Sequence, residues 1–398
     1  MTRPTLEVAD IFRRHGAGYR TGHRLPLEQL RLMRAIEICR TAALGGHVER
    51  CGHCQYKRIS YNSCNCLTSR NRHCPKCQNL ARSKWLERRK GELLPVEYFH
   101  VVFTIPEQLN AIALQNKAIV YKALFQTSAE TLQTIAGDPK HLGAEIGFFS
   151  VLHTWGQNLL HHPHIHCVAT GGGLSPDGKT WLSCRPGFFL SVRVLSRLFR
   201  RLFLAALRQA WTNKQLEFHG NLSGQQGCFG KLVDQLGQIE WVVYAKPPFG
   251  GPQQVLAYLS RYTHRVAISN QRLLKLENGQ VAFQYKDYRS SGREKLRTMT
   301  LAAGEFIRRF LMHSIPPGFQ RIRHYGLLAS RNKKQTLALC RKLLEIDCDL
   351  LPTPAQIEKY TCDLLAPVIL CPSCGAGQML RMETIPPYRW PDRPPDSS

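Results

Sequence analysis

The run His162-Pro163-His164-Ile165-His166 has the spacing most suited to chemistry in this chain. On a β-strand successive side chains alternate faces, so His164 and His166 point the same way and Ile165 points behind them. Two imidazoles on one face can hold one divalent cation. A third ligand can come from the incoming segment of the same hairpin. Gln157, seven residues before His164, is favoured, and His153 is the alternative. Oxygens of a phosphate-bearing substrate would complete a Mg2+ or Mn2+ shell, and such an ion polarises a scissile phosphate. His161 and His162 are read as phosphate contacts.

A nucleophile for that phosphate is available in Tyr258-x3-Tyr262, which follows Phe249-Gly250-Gly251-Pro252. A helix begun at Pro252 puts both phenols on one face, about one turn apart. Tyrosine pairs at this spacing commonly serve a core. Here Arg261, His264 and Arg265 surround them, and a tyrosinate attacking phosphorus beside cations is covalent catalysis. Arg261 and Arg265 are read as DNA-binding. Lys246 is a candidate phosphate contact. Gly171 to Gly173 offer either a close approach for a DNA backbone or a flexible loop.

The chain holds 15 cysteines. Several cluster as Cys-x-x-Cys, and no secretory signal precedes them, so metal binding is a better reading than a disulfide scaffold. Cys51-x2-Cys54 and Cys74-x2-Cys77 have the two-knuckle spacing of a structural zinc site. Cys64, Cys66, His73, His53 and His47 leave the ligand set open, with Cys64 and His73 as the foremost additions. Arg70, Arg72 and Lys76 beside the cluster are expected to grip DNA. A further knuckle, Cys371-Pro372-Ser373-Cys374, is a possible zinc site with Cys362, Cys348 or Cys340 as candidate partners.

These groups sit in a chain of 398 residues with net charge +26. Such a field attracts polyanions and makes nucleic acid the leading partner. No apolar run approaches the roughly 20 residues that span a bilayer, so no membrane role and a cytoplasmic, nucleoid-associated location are expected. No G-x4-G-K-[ST] phosphate loop occurs, which argues against a large replication or conjugation protein.

The elements that must position the chemistry are legible in outline. Residues 1–45 look helical. Tyr98 to Ile105, Ile146 to Trp155, His164 to Thr170 and Ile239 to Ala245 read as strands. Short strands are expected at Val266 to Ile268, Leu273 to Leu276, Val281 to Tyr285 and Thr298 to Leu301, with Asn278-Gly279 as a hairpin turn. Helices are expected over Ala81 to Leu94, Pro106 to Ala136, Val192 to Trp211 and Glu305 to His313. The tail from Ile385 is Pro-rich and reads as disordered. The class is α+β. The expected divisions are a helical and zinc-binding module over 1–95, a catalytic domain over 96–315, a helical Cys-x-x-Cys region over 316–384 and the tail 385–398.

The chain resembles the two-tyrosine rolling-circle insertion-sequence transposases of the HUH endonuclease superfamily. The matching stretches are Asn71 to Gln78, Phe103 to Pro106, Trp155 to Gly173, Trp241 to Pro248 and Tyr258 to Ser269. The resemblance implies an HUH core, an antiparallel sheet flanked by helices. It implies that His164 and His166 bind the catalytic cation and that Tyr258 and Tyr262 are the paired nucleophiles. Their substrates would be single-stranded DNA at the element ends and target DNA. One tyrosine would nick a strand and keep a 5′-phosphotyrosine bond, leaving a 3′-OH. The zinc module would help to recognise the element ends. The competing readings are a zinc-containing DNA binder without catalysis and a plasmid relaxase or replication initiator.

Overall fold

Long apolar runs in the middle of the chain form a sheet buried on both faces. The computed structural model describes residues 6–64, 72–78, 91–246, 255, 266–287, 296–346 and 370–388. In chain order the strands are β1 (Gly46–Cys51), β2 (Lys57–Tyr61), β3 (Tyr98–Thr104), β4 (Glu145–Trp155), β5 (His161–Leu174), β6 (Trp181–Ser183), β7 (Val243–Lys246), β8 (Leu273–Glu277), β9 (Gln280–Lys286), β10 (Leu296–Ala302), β11 (Ile322–Gly326) and β12 (Met379–Ile385). Two units divide the chain. One comprises Trp85–Ala267 and Ile315–Pro352, the other Met1–Lys84, Ile268–Ser314 and Thr353–Ser398. The fold is mixed α/β with antiparallel sheets, and the segment 268–314, grouped from sequence with 96–315, lies in the unit of the N-terminal residues.

In the first of these units the strand order is β11-β4-β5-β3-β7, all antiparallel, with β6 pairing β5. Along β4 and β5 nearly every residue is buried. The reason is alternation of one apolar set against another. Phe103, Leu152, Ile165, Cys167 and Ala169 face the helices Lys117–Gly137 and Val192–Thr212. Val151, Val168 and Phe149 face the other way and pack with Leu327, Leu328 and Leu337. A sheet covered on both faces loses the polar side that makes strands conspicuous in sequence.

Gly171, Gly172 and Gly173 are part of β5 rather than a loop. A Cβ at Gly173 would meet the Glu145 carbonyl oxygen of β4, and one at Gly172 would meet Trp181 and Leu182 of β6. These glycines therefore admit neighbouring protein strands, not a DNA backbone. The single helix expected over Pro106 to Ala136 is two, Asn110–Gln115 and Lys117–Gly137. Asn116 breaks it: its buried amide donates to the carbonyls of Ile112 and Glu217 and accepts from the Glu217 N–H. β7 is shorter than expected, and Val266 to Ile268 is not a strand.

The other unit contains two three-stranded sheets, β12-β1-β2 and β10-β9-β8. Asn278 and Gly279 both have positive φ, 48° and 70°, as the tight β8–β9 hairpin requires. Helices Val8–Gly22 and Ala303–Met312 pack through Phe12 and Phe310, whose rings meet edge to face at 5.3 Å. β12 continues to Ile385, the first residue of the expected disordered tail.

Candidate metal centres

Two four-cysteine groups form, and they cross the pairing expected from sequence. Cys51 and Cys54 meet Cys371 and Cys374, whereas Cys74 and Cys77 meet Cys39 and Cys64. Sheet register is the cause. β12 pairs with β1 so that Met379 lies opposite Cys51, which carries the C-terminal knuckle onto the N-terminal one. Cys64, an expected addition, is a member of the second group. Cys39 was not anticipated, because it is a single cysteine just beyond the helix Leu27–Glu37 with no Cys-x-x-Cys partner. His73 is in neither group. Cys340 is buried in the core of the other unit, and Cys66, Cys348 and Cys362 lie outside the described residues.

The sulfurs are spaced for a metal. Cys39 to Cys77 is 3.6 Å, Cys64 to Cys77 3.4 Å and Cys39 to Cys74 3.6 Å. In the other group Cys51 to Cys374 is 3.7 Å and Cys54 to Cys371 3.6 Å. A tetrahedron with Zn–S of about 2.3 Å has S–S edges of about 3.8 Å. A disulfide, at about 2.05 Å, is far shorter. Backbone N–H groups of His53 and Cys54 point at the Cys51 sulfur, and that of Gly377 points at Cys374. Such donors favour thiolate over thiol. N–H groups of Gly377 and Ala376 hold the Cys374 thiol down to about 6. Gly377 is obligatory here, since a Cβ would strike the Cys51 sulfur.

The third group is histidine. Register places His153 of β4 directly opposite His164 of β5, and Thr104 of β3 on the other side of His164. His166 shares that face two residues on, between Val151 and Val102. The ligand nitrogens of His153, His164 and His166 lie within 4.8 Å of one another, so small side-chain rotations bring them to one ion. His153, the alternative third ligand, thus completes a three-histidine group. Gln157, the favoured one, lies in the connection between β4 and β5. The ladder shifts register between His153 and Trp155, leaving Pro163 off the regular pairing, where its missing N–H is tolerated.

Tautomers are set from behind. His164 Nδ1 lies 2.7 Å from the His162 carbonyl, so it carries the proton and leaves Nε2 as the atom able to ligate a metal. His166 Nδ1 lies 2.8 Å from His100 Nε2. Burial, aided by the nearby Lys246, pushes the His100 imidazole down to about 4. It stays neutral and can accept the His166 Nδ1 proton. His100 was not singled out from sequence, since its partner is 66 residues away.

His161 takes the opposite face. It is buried, 2.8 Å from the Tyr121 hydroxyl, and burial next to Lys117 pushes its imidazole down to about 4. It is a core residue and not a phosphate contact. His162 is half-buried on the histidine side.

Of the expected DNA contacts, Lys76 is ion-paired with Glu7 at 2.5 Å, and Arg72 is half-buried in a turn. Lys246 ends β7, 5.3 Å from the Tyr244 ring centroid. Arg70, Tyr258, Arg261, Tyr262 and Arg265 lie outside the described residues.

Both regions match known protein families. Residues 147–336 match a family described as "Putative transposase", and residues 11–105 match one described as "Transposase zinc-binding domain". The zinc-domain match contains six of the eight clustered cysteines and omits Cys371 and Cys374. The chain is 56% identical over 403 residues to "Putative transposase y4qJ" of Sinorhizobium fredii (strain NBRC 101917 / NGR234), spanning 98% of this chain and 99% of that one. It is 28% identical over 352 residues to "Transposase for insertion sequence element IS801" of Pseudomonas savastanoi pv. phaseolicola, spanning 85% of this chain and 80% of that one. No solved structure matches. With matches to a zinc-binding transposase domain and to a transposase family, and 56% identity to a transposase across nearly its whole length, the chain belongs to a family of transposases that carry a zinc-binding domain.

Proposed function

We propose that this transposase nicks and rejoins single-stranded DNA at insertion-sequence ends through a tyrosine-linked intermediate on an HUH-type core. The observation that carries the reading is the trio His153, His164 and His166 on adjoining antiparallel strands, with His164 and His166 in a His-hydrophobic-His run. Transposases act on DNA, and three imidazoles on one face are suited to a cation that touches a phosphate. When bound, the cation supplies charge stabilisation to the scissile phosphate. Of the two candidates, Mn2+ suits an all-imidazole protein set better than Mg2+, which favours oxygen.

Tyr258 and Tyr262 are the proposed nucleophiles. The phenol oxygen forms a bond to the 5′-phosphate, the bond from phosphorus to the 3′-oxygen breaks, and that oxygen leaves with a proton as a 3′-OH. Attack by a 3′-OH on the phosphotyrosine reverses the step and joins strands, so no ATP is needed. Arg70, Arg72, Arg261 and Arg265 are proposed to neutralise the DNA backbone. The two cysteine groups are proposed to hold structural zinc and to help recognise element ends.

The test is a covalent-adduct assay. Purified protein, single-stranded oligonucleotides carrying element ends and Mn2+ or Mg2+ are resolved on a denaturing gel. A cation-dependent adduct lost in Tyr258→Phe/Tyr262→Phe and in His153→Ala supports the reading. Binding to correct ends with no adduct favours a DNA-binding zinc protein without catalysis.

A further inference from the structure

The helix Val192–Thr212 covers the face of the sheet away from the histidines. Its Phe199 and Phe203 enter the core, and Phe199 meets Phe103 of β3 at 4.9 Å. Phe103 pairs with Ile165, whose side chain points opposite to His164 and His166. What this helix shows outward is unlike an ordinary solvated face. It carries Arg193, Arg197, Arg200, Arg201 and Arg208 and contains no Asp or Glu. At about 100° per residue, the five fall within an arc of about 100°. Four of them line a groove floored by Leu204 and edged by Thr134 and Ile135 of the helix Lys117–Gly137.

The charges are mostly uncommitted. Arg208 is held by Asp234 at 2.6 Å, and Arg200 donates to the Ile239 carbonyl. Arg193, Arg197 and Arg201 are exposed and form no ion pair among the described residues. A solvated helix normally interleaves opposite charges at i,i+4. Here Arg193, Arg197 and Arg201 are successive i,i+4 neighbours of like sign, a spacing that destabilises an isolated helix unless an anion is shared. From Arg193 to Arg208 the row runs about 22 Å along the axis, the length of about six nucleotide steps of duplex at 3.4 Å. Guanidinium is the side chain best matched to phosphate.

We propose that this arginine row is a second DNA-contact surface, which binds the phosphate backbone of duplex DNA without reading sequence. Resting on the DNA-processing reading above, it places duplex on one face of the sheet and the nicking site on the other. The strand being cut and the duplex that flanks it, or a second duplex, are then held apart by the thickness of the sheet and its helices.

The test is the salt dependence of binding to a fluorescent duplex of unrelated sequence, by anisotropy, for the full chain and for Arg193→Gln/Arg197→Gln/Arg201→Gln. Loss of three phosphate contacts makes the slope of log K against log salt shallower by about 2.7. Between 50 and 200 mM salt the unaltered protein then loses about 40-fold more affinity than the variant. The matching triple Lys variant keeps the steep slope, which separates lost charge from misfolding. A glutamine variant with an unchanged slope overturns the proposal, as does an unaltered protein that ignores duplex. So does a variant that retains duplex binding but no longer binds anionic lipid vesicles, which would make the row a membrane contact. Adduct formation on a short single-stranded oligonucleotide is expected to be the same in all three proteins. If none forms an adduct, the nicking reading fails while the slope comparison still decides the arginine row.

Discussion

The cysteine groups and the histidine group are built in opposite ways. His153, His164 and His166 lie on one hairpin of a sheet buried on both faces, and apolar packing sets their separation. The group of Cys51 and Cys54 joins residues 317 positions apart in the chain, Cys54 and Cys371, around a small sheet whose Ile59, Leu380 and Met382 are exposed. One site is positioned by a core that would exist without metal. The other has little core beyond Cys51, Cys371 and Met379, so a bound ion supplies the closure itself. On the proposed reading, metal at the histidines would serve activity. Metal at the cysteines is a matter of fold.

The largest effect follows from removing a cysteine ligand. Cys374→Ser should cut zinc from two ions per chain to one, measured by elemental analysis. It should also release β12 to limited proteolysis. Binding of structural zinc is linked to roughly 10–16 kcal/mol in small zinc modules, so little of the local fold should survive. The β3–β5 sheet should keep its protection in hydrogen exchange. If that sheet opens with β12, the two regions are not independently stable. Gly377→Val sharpens the point without touching a ligand. Its side chain collides with the Cys51 sulfur, and overpacking of this kind costs about 1–3 kcal/mol, so the mutant should bind zinc weakly and melt early.

The same contrast governs what the sequence discloses. The hairpin ligands are local, so strand alternation alone puts His164 and His166 on one face. The strand neighbour His153 needs only β4 beside β5. The cysteine partners are set by β1 pairing with β12, a contact between opposite ends of the chain that no local spacing encodes. Cys51-x2-Cys54 and Cys74-x2-Cys77 therefore invite a false marriage, although each knuckle is recognisable alone. Cys39 was invisible because a lone cysteine past a helix end has no pattern. His161 departs from expectation for a related reason: it sits in a histidine run, but alternation turns it inward toward Tyr121. Strand ends were legible to within a few residues where the apolar run was long. The expected helix over Pro106 to Ala136 failed at Asn116, whose buried side chain bonds the Ile112 and Glu217 backbone and divides it in two.

At the histidine site a direct ligand should outweigh its support. His153→Ala should abolish stoichiometric Mn2+ binding, read by electron paramagnetic resonance, with no change in melting temperature beyond a few degrees. His100→Phe keeps all three ligands but removes the acceptor for His166 Nδ1. Loss of such a partner typically lowers metal affinity 10–100-fold. A His100 variant that binds Mn2+ normally would show that His166 is oriented by the strand alone.

The smallest effect belongs to His161, which tests whether histidines on the two faces of β5 differ in role. Its folded pKa, about 4, is below the usual value of about 6.5 for an exposed imidazole. The unfolded chain therefore binds the proton more readily. The stability from keeping this ring neutral is complete above pH 6.5 and is lost as pH falls toward 4. At pH 5 the loss amounts to roughly 2 kcal/mol. His161→Gln can retain a hydrogen bond to Tyr121 but cannot take up a proton. Its melting temperature should fall less than that of the unaltered protein between pH 7 and pH 5, while metal binding at pH 7 stays the same. Equal acid sensitivity in the two proteins would mean that protonation on the other face of β5 dominates, and that the two faces are less distinct than the packing indicates.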